Sequence, residues 1–256
     1  MKNLTFYFLV AGFLLFGFCA KAQNFALGVR GGISIPNLTG GSGSQNPLNT
    51  GYSSRLGLDA GIFVEYKIST LFSIQPMIEY SSQGGKKNGF QAFTTPDALA
   101  AMFPPGQAPP YLYANYNSKA KLNYLMLPLL AKFGWNIKKS PFRVYVDAGP
   151  FVGLLVSAHQ VTSGKSEFFT DASGQQSLPG GAQSFDNNED IKDQLHKFNT
   201  GIEGNIGLNY RIGSCNLFIE GGGNYGFLNI QKGTQNGKNE VGAATVTIGY
   251  SYWFGK

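Results

Sequence analysis

The sequence predicts an all-β fold, an eight-stranded antiparallel transmembrane β-barrel with long extracellular loops. Three observations carry that expectation. Period-2 alternation of apolar and polar residues recurs along the chain and ends in VGAATVTIGYSYWF at 241–254. The composition is rich in turn and interface residues, with 35 glycines and 14% aromatics, while helix caps and long 3.6-residue patterns are scarce. An N-terminal export signal precedes the alternating segments.

The signal is expected over residues 1–22. An apolar run from Leu4 to Phe18 follows Lys2 and ends in Ala20-Lys21-Ala22 before Gln23. The run is short of the roughly 20 residues a helical span needs, so cleavage is expected rather than anchoring. Cys19 follows Phe18, where lipidation would want a small residue. Residues 23–256 then form a single outer-membrane β-barrel domain. Removing Lys2 and Lys21 lowers the formal net charge from +6 to +4. No Lys/Arg cluster resembles a nucleic-acid footprint. Cys215 is the one mature cysteine, which excludes an intrachain disulfide and speaks against a Cys-built zinc site. No later apolar segment is long enough for a helical span, so a membrane would be crossed by strands.

Eight segments alternate. Residues 24–35 set Phe25, Leu27, Val29, Ile33 and Ile35 against Arg30 and Ser34. Residues 54–67 set Leu56, Leu58, Ala60, Ile62, Val64 and Tyr66 against Arg55, Asp59, Phe63, Glu65 and Lys67. Residues 71–82 set Phe72, Ile74, Pro76, Ile78 and Tyr80 against Ser73, Gln75, Met77, Glu79 and Ser81. In 119–133, Leu122, Tyr124, Met126, Pro128 and Leu130 are read as the outer face and Lys121 and Asn123 as the inner one, although Leu125, Leu127 and Leu129 blur the contrast. Residues 141–157, 198–210, 216–229 and 241–254 complete the set. Pro76, Pro128 and Pro150 fall inside segments, where each removes a ladder donor, so bulges or strand ends are expected there.

The connections alternate in length: long (36–53), short (68–70), long (83–118), short (134–140), long (158–197), short (211–215), medium (230–240). Long loops therefore share one end of the barrel. A soluble sandwich has no reason for this rhythm, and with the signal it decides which face is inside. The mixed face points inward, and Arg30, Arg55, Asp59, Glu65, Lys121, Arg143, Asp147, Glu203 and Glu220 are expected to form a lumenal network, because buried charges need partners.

No catalytic set is expected, and the fold-level expectation is not an enzyme. His159 and His196 fall in the third long loop with Asp186, Glu189, Asp190 and Asp193. A His/carboxylate metal site is weighed there against a solvated loop with a short helix over 188–198. The second reading is preferred, and neither metal nor cofactor is expected. GGSGS (40–44) and GGG (221–223) lack the setting of a phosphate loop. The first reads as a mobile outer loop, the second as relief of crowding on the wall. In the proline-rich loop 90–116, Phe90, Phe93, Phe103, Tyr111, Tyr113 and Tyr116 are read as folding back onto the barrel rim, with a partner interface as the alternative. Tyr66, Tyr80, Tyr124, Tyr210, Tyr225, Tyr250, Tyr252 and Phe254 are interfacial girdle candidates.

Several stretches carry a resemblance: GVRGGISIPNL (28–38), LNYLMLPLLAKFGW (122–135), VYVDAGPFVGLL (144–155), GIEGNIGLNYRIG (201–213), IEGGGNYGFLNI (219–230) and VTIGYSYWFG (246–255). In these the chain resembles the Bacteroidetes outer-membrane β-barrel family that includes PorT-like proteins, on a small OmpA-like barrel frame. The resemblance implies residence in the outer membrane of a Gram-negative, Bacteroidetes-like bacterium, contact with outer-membrane lipids and insertion by the barrel assembly machinery. The chain departs from the common aromatic terminus by ending Phe254-Gly255-Lys256. The expected function is non-catalytic, structural or protein-binding through the outer loops 83–118 and 158–197. The alternatives are an accessory role in outer-membrane protein secretion, implied by the resemblance, and a narrow small-solute pore.

Overall fold

The computed structural model describes residues 24–40, 47–48, 50–233 and 237–254. The export signal expected at 1–22, most of GGSGS, and Gly255-Lys256 lie outside the described residues. Strands follow the chain as β1 (Phe25–Gly40), β2 (Gly57–Lys67), β3 (Phe72–Thr94), β4 (Tyr111–Asn136), β5 (Phe142–Ser163), β6 (Lys165–Ser166), β7 (Gln183–Ser184), β8 (Asn187–Asp190), β9 (Phe198–Ile212), β10 (Cys215–Gly226) and β11 (Asn239–Trp253). Eight of them, β1–β5 and β9–β11, pair in the order β4-β3-β2-β1-β11-β10-β9-β5, and β4–β5 pairing closes the ring. Every ring pairing is antiparallel. Closure removes the free edges that an open sheet would leave for aggregation.

The eight alternating segments each fall on one ring strand, and the alternation of connection lengths holds. Apolar side chains such as Leu27, Val29, Ile62, Ile78, Ile206, Leu217 and Ile248 are exposed on the outside. Four aromatic contacts crowd the end that carries the short turns, three of them across strands (Phe25–Tyr66, Phe72–Phe133 and Phe142–Tyr210) and one along the chain (Tyr252–Phe254), with ring centroids 4.9–5.1 Å apart.

The structure corrects the sequence reading in four places. First, the inner and outer faces of β4 are reversed: Leu122, Tyr124, Met126 and Leu130 are buried inside, while Leu125, Leu127 and Leu129 are exposed outside. Both faces are apolar here because the interior at this height is apolar, so alternation carries no polarity contrast. Tyr124 is consequently not a girdle residue, and Lys121 points outward. Second, the expected loop 83–118 is mostly ladder. The β3–β4 hairpin pairs continuously from Gln83↔Leu122 to Thr94↔Tyr111, leaving 95–110 as the connection, with the single-turn helix α1 (Asp97–Ala100). Its GGKKNG stretch lost the apolar face, not the backbone pairing. Third, the expected helix over 188–198 is β8 followed by a 3-10 turn at Lys192–Gln194. Beyond Leu154↔Phe198, β5 has lost β9 as a neighbour, and β8 occupies that open edge through His159↔Asp190 to Thr162↔Asn187. An edge with unpaired N–H and C=O groups competes successfully with a short helix of low propensity. Fourth, the prolines sit inside strands. The β2–β3 ladder skips the pairs opposite Pro76, β3–β4 those opposite Pro128, and β4–β5 those beside Pro150.

A bulge at Val156 lets Leu155 pair with Tyr124 and Ser157 with Asn123. It moves the inward position from Phe151, Gly153 and Leu155 to Ala158. In the GGG stretch, a Cβ on Gly222 would meet Asn205 Oδ1 at 2.1 Å and the Gly204 carbonyl at 2.3 Å. Crowding on the wall is thus the reason for glycine there.

Candidate functional site

Every ring strand contributes a buried polar side chain to the interior: Arg30, Asp59, Glu79, Lys132, Asp147, Glu203, Glu220 and Thr247, in ring-strand order. Arg30 is the hub. Its Nη2 donates to Glu79 at 2.7 Å and Glu203 at 2.8 Å, and its Nη1 to Glu220 at 2.8 Å. Asp59 lies 3.7 Å from Nη2. Tyr145 donates to Glu220 at 2.7 Å, and Asn205 bridges Asp147 at 2.9 Å and Glu203 at 3.2 Å. Nearer the short-turn end, the Lys132 ammonium sits 3.3 Å from Glu65, 3.1 Å from Gln75 and 4.0 Å from the Tyr145 ring centroid. Phe63, Met77, Leu130, Tyr145 and Phe218 pack together around these groups.

The expected lumenal network therefore holds for Arg30, Asp59, Glu65, Asp147, Glu203 and Glu220. Arg143 is displaced to the short-turn mouth, where it reaches the carbonyls of Thr70 and Gly134. Arg55 stands at the opposite end and donates to the Gln83 carbonyl. Lys121 lies on a part of β4 that pairs with His159 on one side and Gly84 on the other, above the closed ring, where the outer face meets water. Glu79 and Lys132 complete the network and were absent from the expected set. Glu79 was legible from its place on the polar face of 71–82. Lys132 was hidden by the face reversal of β4.

A second layer closes the long-loop end. Leu38, Leu122, Tyr124, Met126, Phe151, Leu155, Ala158 and Val241 come from the wall, and Ile191, Leu195 and Ile230 descend from the loops. Backbone bonds from His196 to Ile230 and from Ile191 to Ala158 hold the descending segment. A cavity of about 350 Å³ opens above this layer, bordered by Tyr52, Lys87, Tyr116 and Glu189.

Around that cavity the loops form a crown. Phe90 stacks on Tyr113, and Tyr116 stacks on Phe185 at 4.4 Å. Phe93 meets Tyr116, Phe168 and Phe185. Phe90, Phe93, Tyr113 and Tyr116 of the 90–116 hairpin thus meet the 158–197 loop. Burial pushes the Tyr116 phenol up to about 12, so it stays neutral and packs as an apolar ring. Among the described residues, no three His, Cys, Asp or Glu side chains converge as a metal set. His159 lies opposite Asp190 in the β5–β8 ladder.

Asp171 ties the tip of the third loop. Its carboxylate accepts from the Ser173 hydroxyl and from the amides of Ser173, Gln175 and Gln176. These bonds, the Ser173 hydroxyl foremost, hold its carboxyl down at about 2. The sign follows: the carboxylate is favoured in the ordered loop, so this ordering is complete above the ordinary Asp range near ~4 and is lost as pH falls through about 2. Amide-exchange protection over 170–176 is expected to fall between pH 5 and pH 2, and Asp171→Ala is expected to remove it already at pH 5. Equal protection in the variant would show that the tip is ordered by other contacts.

The family described as "Outer membrane protein beta-barrel domain" matches residues 21–232. A search of curated protein sequences finds no match. Among solved structures, Neisserial surface protein A (NspA) is similar at 11% identity and TM-score 0.40, covering 90% of this chain and 99% of that one. OprG from Pseudomonas aeruginosa is similar at 11% identity and TM-score 0.37, with 90% and 96% covered. Ail, the attachment invasion locus protein of Yersinia pestis, is similar at 11% identity and TM-score 0.35, with 90% and 99% covered. With a family match over most of its length, and a closed ring with apolar outer and polar inner faces, the chain belongs to the outer-membrane β-barrel protein family.

Proposed function

We propose that this non-catalytic outer-membrane β-barrel spans the bilayer with its eight ring strands, turns its long loops outside the cell, and acts there by binding a protein partner. The observation that carries the reading is the filled interior. The Arg30 network and the apolar layer beneath the loops lie in series, and an eight-stranded ring leaves little room beyond its own side chains. A narrow pore is therefore disfavoured. The crown offers what the lumen does not, a rigid aromatic-rich hairpin continuing far past the ring. Residues 83–94 of β3 run about 40 Å along the strand axis at ~3.3 Å per residue.

In this reading residues 1–22 are removed on export and 23–256 are inserted by the barrel assembly machinery into contact with outer-membrane lipids. The stretches similar to PorT-like proteins support a narrower version, an accessory part in secretion across a Bacteroidetes outer membrane. Planar-bilayer recordings of the purified protein are expected to show no stable conductance. In-membrane crosslinking is expected to capture a partner in the full chain and lose it when 95–110 is deleted, with folding retained by heat-shifted gel migration. A stable, sizeable conductance, or undiminished capture by the deleted chain, would overturn the proposal.

A further inference from the structure

Acidic side chains are sorted along the axis of the molecule. Of the 14 Asp and Glu residues, Asp59, Glu65, Glu79, Asp147, Glu203 and Glu220 are buried inside. The others lie at 97, between 167 and 193, and at 240, all at the long-loop end. Among the described residues, none that lines the short-turn mouth is acidic. There Lys67, Lys138, Lys139, Arg143 and Arg211 surround one cavity of about 580 Å³, together with four asparagine amides and the Trp253 indole.

Two details mark this mouth as more than a solvated rim. Arg143 lies within electrostatic reach of Glu65 below it and of Arg211 beside it, and its Nε is buried without a hydrogen-bond partner. Lys139 adopts φ +58, alone among the described non-glycine residues in having a positive φ. The turn closed by Ser140 N–H to the Ile137 carbonyl would accept glycine there without strain, yet it presents two adjacent lysines to the cavity.

We propose that this vestibule binds a phosphate-bearing anion. Two guanidinium forks offer paired donors that match phosphate oxygens, the lysines add point charges, and the amides and the hydroxyls of the turns supply neutral donors. The cavity exceeds a lone phosphate and has room for a phosphodiester headgroup. It lies beside the exposed Phe142, Trp135 and Ile137 at the short-turn rim, where a lipid headgroup would stand. The chemistry is shared by an anionic phospholipid and by a free phosphorylated solute. Only the placement of this mouth on the periplasmic side rests on the reading proposed above.

Trp253 lines the cavity, and Trp135 is the one other tryptophan, so a Trp135→Phe chain reports the vestibule alone. In zwitterionic detergent, pyrophosphate is expected to change Trp253 emission saturably. The Lys138→Gln/Lys139→Gln/Arg211→Gln variant is expected to bind about tenfold or more weakly while keeping the heat-shifted gel band. Lys139→Gly removes one cation and relieves the backbone, so it is expected to weaken binding without loss of stability. In nanodiscs, a shift on adding phosphatidylglycerol to phosphatidylcholine, lost in the triple variant, assigns the lipid source. A response to pyrophosphate alone assigns the soluble one. No response to either, a response unchanged in the variants, or a response to polyglutamate only would overturn the proposal. These readouts use isolated protein and no outer-loop partner, so their failure leaves the loop-binding reading standing, and the reverse.

Discussion

Arg30→Met is expected to cost about 3–5 kcal/mol or more, lowering the urea midpoint of the heat-modifiable band and leaving little folded protein. Arg30 is 5% exposed, and among the described residues its guanidinium is the one cation bonded to Glu79, Glu203 and Glu220. The methionine is of similar length, so packing is largely kept and the loss is electrostatic. It leaves at least three carboxylates buried without their partner, and each must be protonated or hydrated at a cost. The same argument predicts a rescue. Adding Glu79→Gln, Glu203→Gln and Glu220→Gln to Arg30→Met removes the three charges that lost their bonded partner and is expected to recover most of the midpoint. An Arg30→Met barrel with an unchanged midpoint would mean that the interior is wet enough to screen its own acids.

Gly201→Val is expected to cost about 3 kcal/mol or more, for a steric reason rather than an electrostatic one. A Cβ on Gly201 would lie 1.9 Å from the Tyr225 carbonyl oxygen and 2.7 Å from the Phe151 ring. Tyr225 belongs to the neighbouring strand, where Gly201 pairs with Gly226, so relief requires moving ladder backbone. Gly221→Ala is the matched control, since its Cβ would find its nearest neighbour, the Thr245 carbonyl, at 3.9 Å. That change is expected to stay within about 0.5 kcal/mol. Midpoints that fall equally in both variants would point to a general intolerance of side chains on these strands.

The wall was legible in the sequence because period 2 reports a difference between two environments. Along β2 and β3 the outside is apolar and the inside carries Asp59, Glu65, Gln75 and Glu79, so the faces separate cleanly. On β4 the interior partners are Tyr124, Met126 and Leu130, and the contrast vanishes. The same limit hid Lys132. Above the ring the outer face is solvated, so the β3–β4 ladder continues through residues that look like loop. The seating of Ile191 and Leu195 could not be read locally either. Their role depends on β5 losing a neighbour at Leu154, which is a property of the pairing and not of the segment. The cationic mouth was spread over the sequence at 67, 138–139, 143 and 211, and only closure of the ring gathers it.

The reach of Arg30 bears on the order of assembly. Its partners sit 49, 173 and 190 residues away in the chain. The hub is on the first strand, and the seam that closes the ring joins that strand to the last one. Until this seam forms, Glu203 and Glu220 travel on strands that have not met Arg30, and such distant contacts are slow to form. The unfinished sheet must therefore keep its future interior hydrated, and water leaves only when the first and last strands meet. Closure of the seam and completion of the Arg30 network by Glu203 and Glu220 are thus a single event.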